Sequence, residues 1–145
     1  MAQPAEHVHE LRVRYGECDP QGIVFNANYL LYFDVAFTEL WRAGVGPWSD
    51  MVERGIDAVV AEANLRFRQP ARYDDVLELR GRIVRLGTTS LTTEIDVVRA
   101  GEVLVEGRLR HVFVDTVTWA KTEMPGWISE GLGRFVVLDA EGASS

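Results

Sequence analysis

Cysteine is almost absent. Cys18 stands alone in 145 residues, which excludes an intramolecular disulfide and fits a reducing compartment, so the cytoplasm is the expected location. Positive charge is also in short supply. Fifteen Lys and Arg face 22 Asp and Glu, giving a net charge of −7 and a pI near 4.9, so no nucleic acid or membrane partner is expected on electrostatic grounds. Charged residues interrupt every apolar run well before the ~20 residues that a membrane-crossing helix needs. The opening Met1-Ala-Gln-Pro-Ala-Glu-His7 has no basic segment ahead of an apolar one, so no signal peptide is read there. Only three histidines occur. His7 and His9 share one side of a strand without a third ligand at suitable spacing, so they read as solvated terminal residues, and no metal site is expected. The G-x-S-x-G elbow of serine hydrolases and Gly-rich phosphate loops are both missing.

What is present is enough for a core: 47% of the residues are apolar, and the length suits one domain over 1–145, with 7–135 as its ordered part and 139–145 as a flexible tail. Leu11-Arg-Val-Arg-Tyr15 alternates apolar and basic residues, the period of a half-buried strand. Turn residues Gly16 to Gly22 follow. From Tyr29, the residues Leu30, Phe33, Ala36, Phe37, Leu40 and Trp41 take helical spacing, with Leu31, Tyr32 and Val35 filling most of the remaining circumference. This predicts a helix buried nearly all round, capped by Asn26 or Asn28 and stopped by Gly44 and Gly46 after about 17 residues. A short helical turn is expected from Ser49 or Asp50 to Glu53.

The rest alternates with period two. Val59, Ala61, Ala63, Leu65 and Phe67 form one face of a strand; Leu77, Leu79 and Ile83 form another. Leu91, Ile95 and Val97 follow, then a hairpin turn at Arg99–Glu102, then Val103, Val105, Leu109 and Phe113. The fold class is therefore α+β: a five-stranded antiparallel sheet wrapped around one long central helix. A single helix leaves part of such a sheet uncovered, so a homo-oligomer is expected.

The densest run of special residues is Tyr15-Gly-Glu-Cys-Asp-Pro-Gln-Gly-Ile-Val-Phe-Asn-Ala-Asn-Tyr29. A loop carboxylate, Asp19, precedes the start of a buried helix, whose N-terminal N–H groups can polarise a carbonyl while the carboxylate attacks it or activates water. Gly22 permits close backbone approach. The competing reading is a plain Asp-Pro-x-Gly turn. The same stretch, continued by Leu30-Leu-Tyr-Phe-Asp34, Val52-Glu-Arg-Gly-Ile56 and Tyr73-Asp-Asp-Val-Leu77, resembles the 4-hydroxybenzoyl-CoA thioesterase family. The resemblance implies a hotdog fold, an acyl-CoA substrate, no cofactor beyond the coenzyme A of that substrate, and a dimer or dimer of dimers with sites at subunit interfaces. It implies Asp19 as nucleophile or general base on an acyl or aroyl thioester, the Asn26 backbone N–H as oxyanion donor, and Phe25 and Tyr29 beside the acyl group. Family members carry His or Tyr where Asn26 stands, so only its main chain is assigned a role.

For coenzyme A, the turn Arg85-Leu-Gly-Thr-Thr-Ser90 offers a cation and the hydroxyls of Thr88, Thr89 and Ser90, and the resemblance places a nucleotide contact near here in the partner subunit. Asp34 is the rival carboxylate, because a charge on an apolar helix must be paired or face a cleft; otherwise it shares a polar strip with Thr38. His111 reads as a satisfied core or interface histidine, and Cys18 as site wall. A non-catalytic module that binds acyl-CoA or a protein partner is the alternative function.

Overall fold

The computed structural model describes residues 6–137, and the tail expected at 139–145 lies outside them. Five strands, β1 (His7–Arg12), β2 (Ile56–Phe67), β3 (Val76–Leu86), β4 (Ser90–Arg99) and β5 (Glu102–Asp115), form one antiparallel sheet in the order β1-β3-β4-β5-β2. Two helices, α1 (Asn28–Gly44) and the short α2 (Trp48–Glu53), lie between β1 and β2, and α3 (Gly126–Leu132) follows β5. The alternation in β3, β4 and β5 sends Leu79, Ile83, Leu91, Ile95, Leu109 and Phe113 to one face, where they pack on Phe33, Phe37, Leu40 and Trp41 of α1. Each such side chain contributes about 1.5–3 kcal/mol by leaving water. The opposite face is charged, with Arg82 bridging Glu94 at 2.8 Å.

At its centre the sheet and α1 approach so closely that residue 107 must be glycine. A Cβ there would stand 2.0 Å from the Phe33 ring. α1 has the expected 17 residues, and Arg99 pairs with Glu102 across the expected hairpin.

Several expectations need correction. β1 runs over His7–Arg12 and not to Tyr15, because its partner β3 begins at Val76, opposite Arg12. Neither Asn26 nor Asn28 caps α1: the cap position is Ala27, already in helical conformation with no side-chain bond, since a turn closed by Asn28 N–H on Phe25 O leads directly into the helix. In a single chain α1 is not buried all round, for Leu30, Leu31 and Asp34 are exposed on the side away from the sheet. A bulge between Val60 and Glu62 reverses the alternation of β2, so Ala58 and Val60, not Val59, share the face of Ala63 and Leu65. A second irregularity pairs Val98 with Val103; Leu104 takes the buried position and Val103 turns to the other face. His7 and His9 are half-buried rather than solvated, with His7 edge-on to Phe135 at 5.7 Å. The sequence reading had no helix after β5. Ile128 and Leu132, one turn apart in α3, are fully buried.

Candidate active site

The loop between β1 and α1 is built from short-range hydrogen bonds. Residues 15–17 form a single 3-10 turn, and a bridge between Cys18 and Val24 closes a tight hairpin. Within it, Asp19 N–H donates to Ile23 O at 2.9 Å and Gly22 N–H donates to Asp19 O at 2.9 Å. Gly22 holds φ at +80°, the left-handed turn position that glycine occupies without strain. The Asp19 side chain is half-buried, and its Oδ1 accepts the Gln21 N–H at 2.8 Å. Asp19 therefore does build the turn, and Oδ2 accepts no hydrogen bond from the described residues.

Glu17, which the sequence reading passed over, is the node of this loop. Its carbonyl accepts Phe25 N–H at 3.0 Å and Asn28 Nδ2 at 2.8 Å. Its buried carboxylate accepts the Arg14 N–H at 2.9 Å and the Tyr32 hydroxyl at 2.8 Å, and pairs with the Arg14 guanidinium. Burial opposes the charge on Glu17, but the bonds from Arg14 and Tyr32 outweigh it and hold the carboxyl below its ordinary range. The signal was present as Glu17 and Tyr32 in one motif, but only the fold brings them together.

The hairpin separates two clefts. One, of about 490 Å³, is lined by Tyr15, Cys18, Asp19, Gly22 and Tyr73. The other, about 290 Å³ and mostly apolar, is lined by Val24, Asn26, Tyr29, Phe67 and Pro70. At the mouth of the second, the N–H groups of Asn26 and Ala27 donate to no acceptor among the described residues, the condition of open donors at a helix N-terminus.

A model of the thioesterase superfamily matches residues 21–106. The chain belongs to that family. Among its relatives, the acyl-CoA thioester hydrolase YbgC of Escherichia coli O6:H1 is 28% identical over 116 residues, covering 79% of this chain and 87% of YbgC. The 4-hydroxybenzoyl-CoA thioesterase of Pseudomonas sp. (strain CBS-3) is 39% identical over 71 residues, covering 47% of this chain and 50% of that one. A thioesterase-superfamily structure from Jannaschia sp. CCS1 superposes with a TM-score of 0.87 at 22% identity, over 94% of this chain and 99% of that one. The fold is thus the hotdog and the chain is a thioester hydrolase. The matched region begins two residues after Asp19, so it covers α1 and most of the sheet but not that carboxylate.

Within one copy of the thioesterase, the anticipated site residues do not all meet. Tyr29 is buried, its ring edge-on to Tyr32 and Phe67 and its hydroxyl accepting Ala71 N–H at 3.0 Å; it forms cleft wall. Phe25 is exposed and lines neither cleft. The Arg85–Ser90 turn lies at the far end of β3 from the hairpin, about 30 Å away at strand rise. There Arg85 lies on the charged face of the sheet beside Thr92 and Arg110. The carbonyls of Thr88 and Thr89 accept Met124 N–H and Phe113 N–H, Ser90 is buried, and Thr88 alone of the three is exposed. Asp34 is exposed on α1 beside Thr38. It is eight residues, about 12 Å of helix rise, from Asn26.

His111 is in the core, but it is not satisfied. Its ring stacks on Phe37 with centroids 3.9 Å apart, and Nδ1 is buried without a partner. Burial lowers its pKa from 6.5 to about 4. Between those values the unfolded chain binds the proton and the folded chain does not, so stability falls as pH drops, by about 3 kcal/mol in all. Comparing urea midpoints at pH 7 and pH 4.5, His111→Phe is expected to gain about 2–3 kcal/mol relative to wild type at the lower pH. A pH-independent difference would contradict a buried neutral imidazole.

Proposed function

We propose that this thioesterase hydrolyses an acyl- or aroyl-CoA to the free acid and coenzyme A, with the Asp19 carboxylate as nucleophile or general base and the Asn26 backbone N–H as oxyanion donor. The observation that carries this reading is a fixed carboxylate on the hairpin that leads into a helix start with open donors. Asp19 is anchored through Oδ1 with Oδ2 open, one hairpin away from the unpaired N–H groups at the start of α1. Asp34 fits worse, because it is exposed about 12 Å along the helix from those donors and no hydrogen bond from the described residues fixes its carboxylate as Gln21 N–H fixes that of Asp19.

The chemistry needs no metal or cofactor. Sulfur gives a thioester carbonyl little resonance support, and a thiol of pKa about 8.5 leaves as thiolate without a strong acid. On one route, Asp19 attacks the carbonyl carbon, the C–S bond breaks, and water hydrolyses the resulting mixed anhydride; on the other, Asp19 takes a proton from the attacking water. On either, negative charge grows on the carbonyl oxygen, where the helix N–H groups are worth most.

The working unit in this reading is a homodimer or a dimer of dimers. Its support is the exposed apolar set Leu30 and Leu31 on α1 with Val60 and Phe67 on the edge strand β2. Phe25 and Gly22 then line the acyl entrance. Arg85, Thr88 and Thr89 of the partner subunit contact the nucleotide, because one chain cannot bring them to its own hairpin, while buried Ser90 shapes the turn that carries them. The test is thiol release from a panel of aliphatic and aromatic acyl-CoAs. Turnover on at least one class is expected. Saturable acyl-CoA binding by calorimetry with no thiol released from any member would favour a binding module instead.

A further inference from the structure

We propose that Glu17 is a positioning residue for this hydrolysis: it clamps the Asp19 hairpin to the first two turns of α1 and so sets where the carboxylate stands relative to the open Asn26 N–H. The inference rests on the role given to Asp19 above. The hydrogen bonds of Asp19 N–H to Ile23 and of Gly22 N–H to Asp19 lie within the hairpin; they shape it and leave its placement free. Its placement is set by bonds that leave it. Val24 N–H to Ala71 O, at 2.8 Å, ties it to the approach of β3. Towards α1, the connection runs through Glu17.

Both ends of Glu17 are used. Its carbonyl holds Asn28 Nδ2 and Phe25 N–H, and its carboxylate holds the Tyr32 hydroxyl. Residues 28 and 32 are one turn apart on the same helix face, and a helical side chain leans over the turn before it, so Tyr32 and Asn28 present a pair of donors to one residue. Tyr32 is fully enclosed, while Arg14 is exposed on the other side. The carboxylate is thus gripped between a rigid core hydroxyl and a surface guanidinium, two residues before Asp19. A misplacement of about 1 Å at a reacting group is enough to cost about 100-fold in rate.

A purely stabilising role would lower the melting temperature and leave each folded molecule at full speed. A positioning role lowers kcat and spares KM, since substrate binding does not touch Glu17. Two variants separate these. Glu17→Gln keeps the length and removes the charge; Tyr32→Phe keeps the ring and removes the hydroxyl. With one acyl-CoA, at a temperature where circular dichroism finds each variant folded, kcat is expected to fall about tenfold or more in Glu17→Gln and about threefold in Tyr32→Phe, with KM within about twofold of wild type. The double variant is expected to be no slower than Glu17→Gln alone, because both changes break one clamp. Unchanged kcat per folded molecule would overturn the proposal. If Glu17→Gln does not fold, Tyr32→Phe decides by the same readout. Absence of thiol release by the wild type would remove the thioesterase reading itself, and the clamp's role with it, before any variant is compared.

Discussion

Asp19→Asn is expected to reduce kcat about 1000-fold, near 4 kcal/mol of transition-state stabilisation, with little change in melting temperature. The asparagine keeps an oxygen where Oδ1 accepts the Gln21 N–H, so the turn survives. It loses the charge and basicity that either hydrolytic route requires. The hairpin is surface structure, with Pro20, Gln21 and Gly22 all exposed, so the core does not depend on the carboxylate. Thiol release measured alongside a thermal melt checks both halves. Loss of activity together with loss of folding would assign Asp19 to architecture alone.

Gly107→Ala is expected to destabilise the protein by about 3 kcal/mol or more, the upper range for overpacking a closed core. The added methyl would stand 2.0 Å from Cε2 and 2.4 Å from Cζ of Phe33. Neither side can give. Residue 107 pairs with Leu65 on one side and Ile95 on the other, and Phe33 is fully buried in α1. Urea unfolding measures the change, and adding Phe33→Leu is expected to recover part of it by opening the space. A loss under about 1 kcal/mol would mean that helix and sheet are less closely apposed at this point.

Much of this architecture was legible because alternation is a local property. Leu77, Leu79 and Ile83, or Leu91 and Ile95, announce their strands without knowledge of the partners. The failures occur where a partner strand decides. The bulge after Val60 and the irregularity near Leu104 each reverse the alternation, and nothing in the apolar pattern marks them. β1 ends early for the same reason. α3 was unread because Gly126 and Gly131 within seven residues oppose helix formation, and only the contacts of Ile128 and Leu132 with the core offset that.

The site was legible in part. Asp19, Gly22 and the start of α1 occur in one motif, and the structure sets Asp19 and Gly22 in one cleft and Asn26 in the next, on either side of the hairpin. Glu17 was missed because a buried carboxylate in a turn has no sequence signature until Tyr32, fifteen residues on, is known to reach it. His111 was placed correctly in the core, yet its unpartnered Nδ1 could not be read from strand spacing. The Arg85–Ser90 turn stands at the far end of β3 from the hairpin, so one chain does not bring it to Asp19, and spacing along the sequence carries no sign of that separation.

The central claim is that Asp19 is the carboxylate that cleaves the thioester. Its most direct test is the rate of thiol release from the best acyl-CoA by wild type, Asp19→Asn and Asp34→Asn side by side, each confirmed folded. Catalysis by Asp19 predicts an active wild type, an Asp34→Asn variant with turnover still readily measurable, and an Asp19→Asn variant slower by about 1000-fold. Full activity in Asp19→Asn, with activity lost instead in Asp34→Asn, would contradict it and move the chemistry to the helix.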